Sequence, residues 1–117
     1  MIKLKHIING AVVSDIDLSA GDFSIGRNHG NSLQLDDGEV SGEHALIRLV
    51  PNKYLPEQLD MTIFDQNSTN GTYVNNILVK QKELKHGDAI KICSYEYRVF
   101  DDQSNVGTQT EYALPDD

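Results

Sequence analysis

Three short polar clusters, each set between apolar runs, hold the residues with chemistry to offer. They are Gly26-Arg27, then Ser41-Gly42-Glu43-His44, then Asp65-Gln66-Asn67-Ser68-Thr69-Asn70-Gly71-Thr72 with Asn75 just beyond. Together they supply one guanidinium, several hydroxyls, an Asn amide and loop backbone N–H groups. A planar guanidinium fork with hydroxyl and amide donors suits the oxygens of a phosphate. The same set is a poor one for attacking a substrate. His6, His29 and His86 share no metal-ligand spacing and the single Cys93 gives them no partner, so no metal or other cofactor is expected.

In this order the clusters resemble the forkhead-associated (FHA) domain, a phosphothreonine-peptide binding module. The resemblance runs from about Phe23 to Phe100. Gly-Arg follows an early strand, Ser-x-x-His opens a central one, and Ser68-Thr69-Asn70-Gly71-Thr72 is followed by Asn75. Leu84-Lys85-His86-Gly87-Asp88-Ala89-Ile90 matches the family's Leu-x-x-Gly-Asp-x-Ile. One such motif is a weak turn signal; four in register are a strong one.

The resemblance implies roles residue by residue. Arg27, Ser41, Thr69 and Asn70 form the ligand shell, with Gly42 adding a backbone contact. Gly26, His44, Asp65, Ser68, Gly71, Thr72 and Asn75 hold the binding loops in shape, His44 by hydrogen bonds rather than by touching ligand. Gly42 is a departure, because many relatives carry a longer polar or basic residue there. Backbone amides still bind anions, and Gly42→Arg is expected to tighten binding unless glycine is needed for a positive φ. Preference for phosphothreonine implies a small apolar pocket for the γ-methyl, worth on the order of 1 kcal/mol.

Composition agrees with one soluble globular domain: 117 residues, 38% apolar and 24% charged. No apolar run reaches membrane-spanning length, no signal peptide is evident, and the lone Cys93 forms no internal disulfide, so the expected place is the cytoplasm. A net charge of −8 argues against nucleic acid as a partner and means that any phosphate grip must be local. The expected partner is a threonine-phosphorylated protein or peptide, with a Ser/Thr kinase or its substrates as the class implied and no membrane.

Period-two alternation predicts an all-β fold, a mostly antiparallel β-sandwich of about eleven short strands. They run over 2–8, 11–18, 23–26, 32–35, 44–50, 61–64, 72–74, 77–79, 82–84, 89–92 and 95–100. Asn9-Gly10 and Asn75-Asn76 mark hairpins, and 51–58 is a Pro-bounded surface loop. The binding domain is placed at 1–100. Residues 101–117, where apolar content collapses, read as a flexible acidic tail or linker, with Thr108 and Thr110 as candidates for phosphorylation. Two alternatives stand beside the phosphopeptide reading. One is a phosphatase, which needs a nucleophile or metal cluster that neither Cys93 nor the scattered carboxylates supply. The other is a degenerate FHA domain acting as a phospho-independent interaction module.

Overall fold

Alternating apolar and polar residues become eleven strands in the computed structural model, which describes residues 1–102. They are β1 (Ile2–Ile8), β2 (Ala11–Leu18), β3 (Gly21–Gly26), β4 (Leu33–Gln34), β5 (Ala45–Pro51), β6 (Leu59–Asp65), β7 (Thr72–Val74), β8 (Ile77–Val79), β9 (Gln81–Leu84), β10 (Ala89–Ile92) and β11 (Tyr95–Asp101). One sheet has the order β2-β1-β11-β10-β7-β8 and the other β4-β3-β5-β6-β9. Every paired register between strands is antiparallel except that of β3 with β4.

The inner faces supply the core. Leu4, Ile90, Ile92 and Val99 of the first sheet meet Ile25, Ile47, Leu49 and Ile63 of the second, all at 1% exposure or less. Each such side chain contributes about 1.5–3 kcal/mol on burial. Between them along β1, Lys3 and Lys5 point outward and pair with Asp17 and Asp15 across the edge strand β2. The period of two therefore decides which side chains are core and which are surface.

Turn chemistry sets the connections. Asn9 and Gly10 both take positive φ, as do Asn75 and Asn76, which gives the two hairpin turns their right-handed twist. Several strands run further than the sequence pattern suggests. β3 begins at Gly21 rather than Phe23, because Gly21 and Asp22 already pair with Leu49 and Arg48. β11 continues through Asp101, which pairs with Ile2 and donates its N–H to His86 Nδ1 at 2.9 Å, so the folded part passes the expected boundary at 100. His44 precedes β5 rather than opening it, and β4 is only two residues long. The tail positions Thr108 and Thr110 lie outside the described residues. Among the described residues no helix is long and apolar enough to cross a membrane.

β3, β5 and β6 are neighbours in one sheet, and the end of β3, the start of β5 and the end of β6 share one pole. The connections carrying the three polar clusters therefore converge there.

Candidate functional site

Arg27 is the first residue past β3, and its backbone is zipped to the β4–β5 connection. Its N–H donates to the Ser41 carbonyl at 3.0 Å, and the Asn28 N–H donates to the Gly42 carbonyl at 3.2 Å. A Cβ on Gly26 would fall 2.2 Å from the Gly42 carbonyl oxygen, so only glycine permits this approach. The Arg27 side chain then spans the loop, with Nη1 donating to the Val40 carbonyl at 3.1 Å and the Gly38 carbonyl at 3.3 Å. Among the described residues its Nε and Nη2 donors meet no partner and no carboxylate pairs with the charge.

The second and third clusters are joined by hydrogen bonds. Ser41 Oγ accepts the Thr69 N–H at 2.9 Å, and Asn70 Nδ2 donates to the Glu39 carbonyl at 2.8 Å. His44, fully buried, accepts the Ser41 N–H on Nδ1 at 3.1 Å. Its Nε2 donates to the Gly71 carbonyl at 2.8 Å, which places the ring proton on Nε2.

Asp65 organises the third cluster from inside. Its Oδ1 accepts from Ser68 Oγ at 2.5 Å and from Thr72 Oγ1 at 2.8 Å, and its Oδ2 accepts the Ser68 N–H at 3.1 Å. Burial pushes this carboxyl up, but the Ser68 and Thr72 hydroxyls and the Ser68 amide outweigh it and hold the group below the usual carboxylate value. Ser68 Oγ also accepts the Gly71 N–H at 2.9 Å. Gly71 has φ +87, while Asn67 at φ 57, rather than Asn70, is the other left-handed residue of the loop.

Arg27, Ser41, Gly42, Thr69 and Asn70 all line one cavity of about 240 Å³, together with Gly38, Glu39 and Val40. Gly26, His44, Asp65, Ser68, Gly71 and Thr72 lie behind it, in the hydrogen bonds just described. Asn75 is not among them. Its side chain donates to Asp88 Oδ1 at 3.0 Å and accepts the Ala89 N–H at 2.9 Å, so it fastens the β7–β8 turn to the start of β10. There it borders a larger cavity of about 450 Å³, away from the three loops.

Residues outside the motifs also shape the site. Asn31 Nδ2 donates to the carbonyls of both Asn28 and Gly42 at 2.9 Å, while its Oδ1 is buried without a partner in the described residues. Gln34 Nε2 donates to the Arg27 carbonyl at 3.1 Å. Cys93, at φ 53, donates Sγ–H to the Glu39 carbonyl that Asn70 also uses, at 3.1 Å. Burial raises its thiol, the Asn70 amide opposes, and Glu39 and Asp37 add to the rise, so it is no activated nucleophile. No group of three metal-ligating side chains occurs among the described residues.

What this arrangement can do is present a cation and oriented donors to an oxyanion at a rigid loop junction. Comparison with known proteins points the same way. The model of the FHA domain family matches residues 23–93. Protein phosphatase 2C 70 of Arabidopsis thaliana is 32% identical over 113 residues, covering 94% of this chain and 17% of that protein. Glycogen accumulation regulator GarA of Mycobacterium tuberculosis is 38% identical over 69 residues, covering 59% of this chain and 38% of that protein. The chain thus corresponds to well under half of these relatives. An FHA domain solved for its phosphothreonine-dependent interactions superposes with a TM-score of 0.71 at 31% identity, covering 86% of this chain and 95% of that one. Mycobacterium tuberculosis EmbR, solved with a low-affinity phosphopeptide, gives a TM-score of 0.70 at 30% identity, covering 85% of this chain and 24% of that one. With the family match spanning more than half of its residues and the loops in place, the chain belongs to the FHA domain family.

Proposed function

We propose that this FHA domain docks a phosphothreonine peptide across its three loops and so joins two proteins when one of them is phosphorylated. The observation that carries the reading is Arg27. Its guanidinium stands over the cavity shared with Ser41, Gly42, Thr69 and Asn70, held only by neutral carbonyls and with Nε and Nη2 turned to no described partner. An incoming phosphate offers it an anionic acceptor in their place. Ser41 contributes its hydroxyl hydrogen, since its oxygen already accepts from Thr69. Thr69 adds its hydroxyl, Gly42 its amide, and Asn70 its side chain to the peptide main chain. His44, Asp65, Ser68, Gly71 and Thr72 keep these groups in register.

The partner class is a threonine-phosphorylated protein, with a Ser/Thr kinase or its substrates included. The chain's charge of −8 disfavours nucleic acid, and its free Cys93 fits a reducing compartment such as the cytoplasm. The similarity to a phosphatase covers 17% of that protein and gives no ground for an activity here. On this reading residues 1–100, together with the end of β11 at Asp101, make up the binding unit and the remainder serves as a tail or linker.

The alternative of a phospho-independent module has one observation in its favour. Asn70 Nδ2 and Ser41 Oγ are already engaged across the loops, so the junction is closed without ligand. One titration decides between the two. A phosphothreonine peptide, its unphosphorylated twin and its phosphoserine version are compared by calorimetry on the same domain. The reading expects binding in the order phosphothreonine, phosphoserine, then none for the bare peptide. Equal affinity with and without phosphate establishes the alternative.

A further inference from the structure

Position 42 is glycine, yet the space a side chain would take there is filled. A Cβ built on Gly42 would lie 2.6 Å from Asn28 Nδ2 and 3.0 Å from Asn28 Cγ and Oδ1. The Asn28 side chain is thus laid over Gly42 from the neighbouring loop. Its backbone is fixed there from both sides. The Asn28 N–H donates to the Gly42 carbonyl at 3.2 Å, and Asn31 Nδ2 ties the Asn28 and Gly42 carbonyls together at 2.9 Å each. The Asn28 amide makes no hydrogen bond to any described residue, and the residue is exposed. Gly42 in turn lines the cavity beside Arg27 and Ser41. Glycine is not required at position 42 for its own conformation, because its φ is not positive.

We propose that Asn28 supplies, from the β3–β4 connection, the side-chain contact that glycine gives up at position 42: its Nδ2 donates to the phosphopeptide on the Gly42 side of the cavity. This rests on the phosphothreonine-docking reading above. An amide whose loop is already pinned at Gly42 loses little freedom when it gains an acceptor, so the contact is preorganised. It also changes what a longer residue at position 42 does. Gly42→Arg has to displace Asn28 before it can reach ligand, and so exchanges one contact for another rather than adding one.

The test uses the full chain and one phosphothreonine peptide selected from a degenerate pool, with affinity read by calorimetry and folding by Tm. Asn28→Ala is expected to weaken binding about tenfold, the loss of one hydrogen bond to a charged ligand. Gly42→Asn placed in the Asn28→Ala background moves the amide from one loop to the other and is expected to recover most of that loss. Gly42→Asn alone, with Asn28 still in the way, is expected not to tighten binding. Asn28→Asp keeps the shape, removes both N–H donors and sets a carboxylate towards phosphate. It is expected to lose more than Asn28→Ala, with the excess shrinking as salt rises, and it carries the test if the alanine variant melts early. Unchanged affinity in the Asn28 variant that carries the test, no recovery in the transposed pair, or tighter binding by Gly42→Asn alone overturns the proposal. Arg27→Ala is titrated in parallel. Wild-type affinity there brings down the docking reading itself, whereas a loss there with intact binding by the Asn28 variants brings down only the role of Asn28.

Discussion

His44 Nε2 lies 2.8 Å from the carbonyl oxygen of Gly71, and through this bond a single buried ring couples the β4–β5 and β6–β7 connections. Its other nitrogen takes the Ser41 N–H, so neither loop can shift without breaking a bond to the same side chain. His44→Ala leaves the part-buried Gly71 carbonyl and the Ser41 N–H without partners and opens a cavity. It is expected to cost roughly 2–4 kcal/mol of stability and to weaken phosphopeptide binding in the same variant. Thermal melting and calorimetry check the pair of effects. Normal melting with normal binding would show that the ring couples nothing.

Arg27→Ala separates ligand contact from loop support. Loss of the guanidinium is expected to weaken phosphopeptide binding by roughly 2–4 kcal/mol, enough to take a micromolar complex out of range. A strand-end arginine suggests no effect on melting from sequence alone. The bonds from Nη1 to the Gly38 and Val40 carbonyls give a small one, about 1 kcal/mol or less at such an exposed site. Arg27→Lys should recover part of the stability but not the affinity, because an ammonium lacks the fork. Full affinity in either variant contradicts the assigned role.

Asp65 makes the loop sensitive to acid in a defined direction. Its carboxyl is held below the ordinary value of 3.8 in the folded state, so the folded state favours the charged form more than the unfolded state does. The stability this adds is present above about pH 4 and is lost as pH falls through the depressed folded value. Asp65→Asn should therefore be less stable than wild type near neutrality, with the gap closing in acid. Denaturant melts from pH 7 down to about pH 2 measure that gap. A gap that stays constant with pH would mean the carboxylate charge contributes nothing.

Gly26→Ala is a purely steric probe. The added Cβ would sit 2.2 Å from a backbone oxygen of Gly42, which no rotamer change relieves. The β3 end and the β4–β5 loop must separate, and Arg27 moves with them. A cost of about 1–3 kcal/mol in stability is expected, as for overpacking generally, with binding lost to a larger extent than stability. Crystallisable protein with wild-type affinity would show that the two backbones have slack.

The strand count and order of motifs could be read from sequence because each rests on local rules. Leu4 and Ile63 follow the period of two, and Asn9-Gly10 is a hairpin by its own torsional freedom. Strand ends were less legible, since Gly21 and Asp101 become strand only through partners far along the chain, Leu49 and Ile2. The β10–β11 turn places Cys93 at φ 53, a conformation its residue type does not announce. Within the site, the side chains with obvious donors stood out. Their partners did not, because the carbonyls of Gly38, Glu39, Val40 and Gly71 belong to backbone that every sequence has. Asn28 and Asn31 carry no sequence signal for the same reason: only the fold shows that both meet Gly42. Asn75 enters through the family pattern, and only the fold shows that its side chain is spent on Asp88 and Ala89.

A chain ending at Asp102 keeps every strand pairing among the described residues, the last being Ile2 with Asp101, and is expected to retain phosphopeptide affinity. Parallel calorimetry of the two lengths checks this. Tighter binding by the shorter chain would reveal competition from the removed segment.

The Met1 amino group lies 2.6 Å from Asp102 Oδ1, and this meeting point borders Ala20, Gln58 and Leu59, where β3 and β6 are furthest from the loops. Six residue steps along β6 separate Leu59 from Asp65, a span of roughly 20 Å. The domain consequently has a handle at the back and a reading head at the front. Held at that end, it leaves the exposed Arg27 and Asn70 facing away from the attachment. A sensor surface built in this way can therefore sample phosphopeptides without the support entering the measurement.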